Sequence, residues 1–296
     1  MGYMHIQPLY KCPKFHQLFK EIFVMEKIHG TSTWIQFKSD MHTIQFHSGG
    51  EKGAHFEALF DRKKITEKFE EICSQKNWTT VRIHGEAYGG KQQKMSATYG
   101  PHLKFIVFEV CVDVTFLDVP DVEKIATDFG LEFVHYDRCE NSPELIEHYS
   151  NLESVQAVRN GMGHGKPREG VVIRPIKESI MPDGKRAIFK HKNAEFWEIK
   201  TRRPLGEKLL VSSKTDEIVE DWVTPNRFEH VKDRVLQQKE DKSFVKTDIK
   251  LFLELMVEDV QRESEGEVVW SEDLVKKIRQ KTAFMFKSQN SSLNMK

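Results

Sequence analysis

The 296-residue chain lacks net charge, because 45 Lys and Arg residues balance 45 Asp and Glu. A histone-like or tail-driven nucleic-acid binder needs clustered cations to meet phosphates, so that class is excluded, although a basic groove on one face stays open. Cysteine is scarce. Cys12, Cys73, Cys111 and Cys139 are far apart and form no Cys-x-x-Cys pair, which argues against a disulfide framework and a cysteine-rich zinc site. Reduced thiols of this kind fit the cytoplasm or another reducing compartment. No apolar run approaches the roughly 18 residues of a membrane span, and no basic-then-apolar leader is present, so neither insertion nor secretion is expected. A P-loop is missing too: Gly161-Met162-Gly163-His164-Gly165-Lys166-Pro167 reads as a mobile loop, but a strand pattern follows it where a P-loop would enter a helix.

What is there is mainly strand-like in the first two thirds. Ile22 to Val24, Thr33 to Phe37 and Thr43 to His47 predict consecutive antiparallel strands with Lys27 near the first turn. Helical spacing of Phe56, Leu59, Phe60, Ile65, Phe69 and Ile72 predicts one helix from about Phe56 to Gln75. A strand over Thr79 to His84 runs into Gly85-Glu86-Ala87-Tyr88-Gly89, and Phe105 to Val110 reads as a buried strand. Short helices at Val122 to Phe129 and Pro143 to Tyr149 flank a strand at Leu131 to His135. Beyond Pro204 the pattern turns helical: Thr224-Pro225 is a helix start, Ile249 to Val260 has an apolar stripe, and Ser271-Glu272-Asp273 caps another helix. The expected division is therefore a domain over residues 1–204 and a helical one over 205–296, with a loose tail from Ser288.

Chemistry concentrates in a few places. Lys27 ends a strand just before His29-Gly30, and Lys190 and Lys192 share one face of a later strand. Cationic neighbours and partial burial favour a neutral, nucleophilic amine. Glu86 sits among glycines, where backbone can approach a ligand closely, and Glu169 precedes Gly170 at the lip of another strand. Phe108 could stack on a base. Lys185, Arg186, Lys190, Lys192, Lys200, Arg202, Arg203 and Lys208 face only Glu195, Glu198 and Glu207, a local net of +5 that marks a phosphate-binding region. Taken singly, each feature has an ordinary explanation: a solvated lysine, an exposed strand-end glutamate, a core aromatic, a solvated basic turn. His84-Gly85-Glu86 has no second His or Cys at ligand spacing and is not a zinc site.

Taken in order, five segments resemble the covalent nucleotidyltransferase superfamily of polynucleotide ligases and capping enzymes, and within it the RNA ligase 2 family, which includes the kinetoplastid RNA-editing ligases. Glu26-Lys27-Ile28-His29-Gly30-Thr31 resembles motif I, Gly85 to Gly89 motif III, Phe108-Glu109-Val110 motif IIIa, Glu169 to Ile173 motif IV, and Lys190-His191-Lys192 motif V. The resemblance implies an α+β fold: an antiparallel-sheet, ATP-grasp-like nucleotidyltransferase domain followed by a small all-helical domain. It implies ATP and Mg²⁺ as cofactors, with Mn²⁺ able to substitute, and RNA with 3′-hydroxyl and 5′-phosphate ends as partner, including nicked duplexes. A monomer is expected. Lys27 would carry AMP, His29 would assist pyrophosphate departure, and Lys190 and Lys192 would clamp the α-phosphate. Glu26 would line the nucleotide pocket, Glu86 would bind the sugar, Phe108 would stack on adenine, and Glu169 would hold hydrated Mg²⁺. The segment after the third strand, Phe46-His47-Ser48-Gly49-Gly50-Glu51-Lys52, has no arginine where the family usually has one, leaving His47 or Lys52 as stand-ins. A DNA ligase or capping enzyme would usually append a β-barrel, which the helical pattern opposes, and an RNA-binding protein without catalysis would not need the full set of motifs.

Overall fold

The computed structural model describes residues 2–49, 53–205, 211–239 and 244–293. Lys52, Glu207 and Lys208 lie outside the described residues. The chain divides into two compact units, Met1–Glu195 and Phe196–Lys296. Phe196 to Pro204, expected in the first domain, thus falls in the second, where Ile199 packs on the helical core.

The first unit contains β1 (Gln7–Pro8), α1 (Phe15–Leu18), β2 (Glu21–Glu26), β3 (Thr31–Lys38), β4 (Thr43–Ser48), α2 (Gly53–Glu57) and α3 (Arg62–Lys76). It continues with β5 (Thr80–Tyr88), α4 (Ser96–Tyr99), β6 (Lys104–Val112), β7 (Thr115–Phe116), α5 (Val119–Phe129), β8 (Glu132–Phe133) and β9 (Tyr136–Glu140). α6 (Pro143–Ser150), α7 (Val155–Arg159), β10 (Gly170–Pro175) and β11 (Phe189–Lys192) complete it. Two sheets form. One has the order β1-β11-β10-β2-β9; the other runs β4-β3-β5-β6-β7, with β8 added beside β6. Pairing is antiparallel except for β1 with β11 and β6 with β8.

This partition corrects the expected meander. β3 pairs with β4, but β2 pairs with β9 and β10 in the other sheet, so Lys27 lies where the chain crosses between sheets. The crossing is tight: a Cβ on Gly30 would stand 2.3 Å from the Ala87 carbonyl oxygen. The helix expected over Phe56 to Gln75 is two helices, because Asp61 accepts a hydrogen bond from Lys64 N and starts α3 afresh. The strand expected over Leu131 to His135 is reduced to β8, Glu132–Phe133, beside β6, and β9 starts beyond it at Tyr136 and joins β2. β5 does not stop at His84 but runs on through Glu86, with a bulge where His84 pairs Glu109 and Gly85 pairs Val107.

Alternation along β3 and β5 sends Ile35, Phe37, Val81 and Ile83 into a core closed by Phe69 of α3 and Phe129 of α5. The opposite face of the same strands carries Ser32 and Glu86 side by side, then Trp34 beside His84, then Gln36 beside Arg82. One face therefore holds the sheet to its helices, and the other is free for polar chemistry.

The second unit contains α8 (Thr215–Trp222), α9 (Pro225–Gln237), α10 (Ile249–Glu263) and α11 (Glu272–Leu293). Among its described residues, strand pairing amounts to an isolated bridge between Ser212 and Val268, so no β-barrel is present there. Thr224 caps α9 through Arg227 N, and Phe228, Val231, Phe252, Met256, Leu274 and Ile278 form the core. The expected loose tail from Ser288 is instead helical as far as Leu293, continuing the helix that buries Phe286. Asp259 is fully buried and meets Arg227 at 2.5 Å, Arg234 at 3.3 Å and Arg262. Glu198, His230 and Asp259 present ligand atoms within 4.8 Å of one another, but three guanidinium charges around Asp259 oppose a metal cation. Asp259→Ala is expected to cost the helical unit about 3–5 kcal/mol, because it strands buried guanidinium charge. Chemical denaturation of parent and variant checks this, and equal midpoints would show that the cluster contributes no stability.

Candidate active site

β10 lies between β2 and β11, and that order brings three strand ends to one rim. Lys27 follows the end of β2, Glu169 precedes the start of β10, and Lys192 ends β11. Backbone bonds fix the register there: Lys27 N donates to Gly170 O at 3.0 Å, and Asn193 N donates to Glu169 O at 2.9 Å. Gly170 is obligatory in this register. Its φ is +141°, and a Cβ would stand 2.2 Å from the His191 carbonyl oxygen.

The Glu169 carboxylate is buried and gathers the cations of the rim. Its Oε2 accepts from Lys27 Nζ at 2.7 Å and lies 3.1 Å from His29 Nδ1, while Oε1 lies 3.3 Å from Lys192 Nζ. Burial alone would raise its pKa, but Lys27, His29 and Lys192 outweigh burial and hold the carboxyl well below the usual carboxylate range. The sequence suggested that cations would crowd Lys27. In the structure its nearest partner is an acid, the Glu169 carboxylate.

Glu86 is the opposite case. Its Oε1 accepts from Gly30 N at 3.1 Å, yet burial, reinforced by the nearby Glu169 charge and only partly offset by Lys27, pushes its value up from 4.5 to about 8. The two acids differ because several positive groups meet Glu169, whereas at Glu86 the Glu169 charge adds to the effect of burial and Lys27 offsets only part of it. A neutral Glu86 carboxyl can donate a hydrogen bond as well as accept one.

Lys190 and Lys192 are half-buried on one face of β11, and His191 on the other face lies 2.9 Å from Glu147 Oε2. Glu26 is buried, and its carboxylate is committed to Ser154 Oγ at 2.5 Å and Gln156 N at 3.2 Å. Phe108 stands on β6 beside Tyr3 and His84. Two members of the basic run turn to acids within their own units: Arg186 to Glu109 and Glu178, and Arg203 to Asp221 and Glu267.

Several supporting residues escaped sequence reading. Tyr99 accepts from His29 N at 3.4 Å, and Gln92 accepts from Thr31 Oγ1 at 2.8 Å. Arg82 places a guanidinium 4.8 Å over the Trp34 ring and donates to Gln36 Oε1, and His47 stacks on the same indole at 5.1 Å. A fork-shaped cation thus stands on the face that carries Glu86, in the region where the segment after β4 lacks arginine. No local pattern announced it, since Arg82 lies on a different strand from that segment.

The raised Glu86 value has a consequence for stability. Its neutral form stabilises the folded chain fully below the unfolded value, and that contribution is lost as pH rises toward about 8. Glu86→Gln keeps the shape without titrating, so its stability relative to the parent is expected to climb between pH 5 and pH 8. Urea unfolding at both pH values measures the difference, and a constant offset would show that Glu86 is ionised throughout.

The RNA ligase family model matches residues 20–192, more than half of the chain and almost the whole two-sheet unit. Among solved structures, a Naegleria gruberi RNA ligase mutant with ATP and Mn aligns with a TM-score of 0.51 at 15% identity, over 66% of this chain and 57% of that one. An apo mutant of the same ligase aligns with a TM-score of 0.50 at 17% identity, over 66% and 57%. At such identity the likeness is one of fold, and the match spans little more than half the length of those chains. No curated protein sequence matches. With Lys27, Glu169 and Lys192 gathered on one rim and the family model matching residues 20–192, more than half of the chain, the chain belongs to the RNA ligase family.

Proposed function

We propose that the chain is an ATP-dependent RNA ligase that joins 3′-hydroxyl and 5′-phosphate RNA ends through AMP carried on Lys27. The observation that carries this reading is the convergence of Lys27, His29 and Lys192 on the buried Glu169 carboxylate. A cluster of three nitrogen donors suits a phosphate, and once phosphates draw those donors away the anionic Glu169 oxygens suit a hard divalent cation.

In the first step Lys27 Nζ, once deprotonated and released from Glu169, attacks the α-phosphorus of ATP. A phosphorus–nitrogen bond forms as the phosphorus–oxygen bond to pyrophosphate breaks. Lys190 and Lys192 on their shared face offset charge on the equatorial oxygens, and His29 offsets it at the departing oxygen. Glu86 holds the sugar by its carboxyl, and Phe108 supplies an apolar face for adenine. Mg²⁺ or Mn²⁺, held through water at Glu169, supplies further positive charge at the phosphates when bound. The 5′-phosphate of RNA then attacks the adenylate phosphorus and takes AMP from Lys27. Finally a 3′-hydroxyl attacks that 5′-phosphate and releases AMP.

Incubation with α-labelled ATP and Mg²⁺ tests the reading. Label is expected on Lys27 alone, Lys27→Ala and Lys27→Arg should both abolish it, and Lys192→Ala should slow it by about 10²- to 10³-fold. Recovery of AMP on another lysine would overturn the assignment. Because these residues all precede Glu195, a chain ending there is expected to keep self-labelling and to lose sealing of a nicked RNA duplex, whose longer backbone needs further docking surface. Undiminished sealing by the shortened chain would assign the helical unit to another task.

A further inference from the structure

The ring expected to meet the base is held by a residue far from every motif. Phe108 is the extra residue of the β5–β6 bulge: Glu109 pairs with His84 and Val107 with Gly85, which leaves Phe108 without a cross-strand partner. A bulged residue is unpaired in the ladder, so the sheet alone does not set its orientation. Tyr3 fills that role. Its ring stands edge-on to Phe108 at 5.0 Å and 79°, and edge-on to His84 at 5.1 Å and 69°.

The tyrosine is itself anchored. Its hydroxyl donates to Glu109 Oε2 at 2.5 Å. Glu109, next to Phe108 in sequence, is fully buried and also accepts from Arg186 at 2.6 and 3.0 Å, and Arg174 lies 3.3 Å away. Arg174 belongs to β10, whose start carries Glu169. A continuous chain of contacts therefore runs from Tyr3, ahead of β1, and Phe108 on β6 to β10, the strand whose start carries Glu169. On the same face the buried His84 Nδ1 and Ser32 Oγ have no hydrogen-bond partner among the described residues, and Ser32 lies beside Glu86. Unsatisfied groups beside an aromatic wall and an acid are what a nucleoside pocket would present.

We infer that Tyr3 is a positioning residue for nucleotide binding: by clamping Phe108 and Glu109 it fixes the aromatic wall against which the base of ATP stacks. The inference rests on the reading of Phe108 as that wall. The ring of Tyr3 acts through packing, and its hydroxyl acts through Glu109.

The test measures ATP dissociation constants by calorimetry, and the ATP dependence of Lys27 labelling, for the full chain and for Tyr3→Phe, Tyr3→Ala, Phe108→Ala and the Tyr3→Ala/Phe108→Ala double variant. Tyr3→Ala is expected to weaken ATP binding about three- to tenfold and to leave the maximal labelling rate within about twofold. Tyr3→Phe, which keeps the ring, should recover most of the affinity. The double variant should bind no worse than Phe108→Ala alone, since Tyr3 works through that ring. Thermal melting monitors folding, and Tyr3→Leu replaces Tyr3→Ala if the latter does not fold. Unchanged affinity in Tyr3→Ala, tighter binding, or additive losses in the double variant would each overturn the inference. A parent that binds ATP without labelling Lys27 would sink the ligase reading while the affinities still judge Tyr3.

Discussion

One buried carboxylate governs the site. Glu169 sits where three strands end, and its charge is tolerable there only because Lys27, His29 and Lys192 meet it. The rest of the two-sheet unit serves that encounter. β10 must be central so that β2 and β11 flank the acid, and Gly170 must be glycine so that β11 can come close enough to deliver Lys192. Glu86, a few ångströms of backbone away across the Gly30 crossing, is driven to the opposite protonation preference by the same burial. Two like groups in one pocket thereby acquire different chemistry from their neighbours.

The α+β class and the helical second unit were legible in the sequence, as were the local patterns at the candidate site. An acid before a glycine at a strand's edge, a lysine before His-Gly, and lysines at alternate positions are local patterns, and local patterns survive in sequence whatever the topology. Sheet membership does not. The pairing of Val24 with Asp137 and with Ile173 links positions more than a hundred residues apart, which no period records. Charge counting misled for a similar reason: Arg186 and Arg203 add to a basic run along the chain, but each is turned toward acids that arrive from elsewhere. Tyr99, Ser154 and Gln156 went unseen because each meets Glu26 or His29 through one long-range hydrogen bond, which no local pattern marks.

The helical unit answers to different physics. Its core is ordinary amphipathic packing, readable from the stripes of α9 and α10, but its polar centre gathers three arginines on one buried aspartate. Such an arrangement contributes less to net stability than to uniqueness, since few alternative packings could satisfy so many guanidinium groups at once.

The crossing at residues 27–30 has a mechanical meaning. Lys27 is bonded through its backbone to β10, and three residues later Gly30 is bonded to Glu86 on β5 of the other sheet. Lys27 therefore rides on a very short tether between two plates. Residues 27–30 thus join the two sheets with almost no slack, and a ligand that touched both sheets there would meet the chain at their junction.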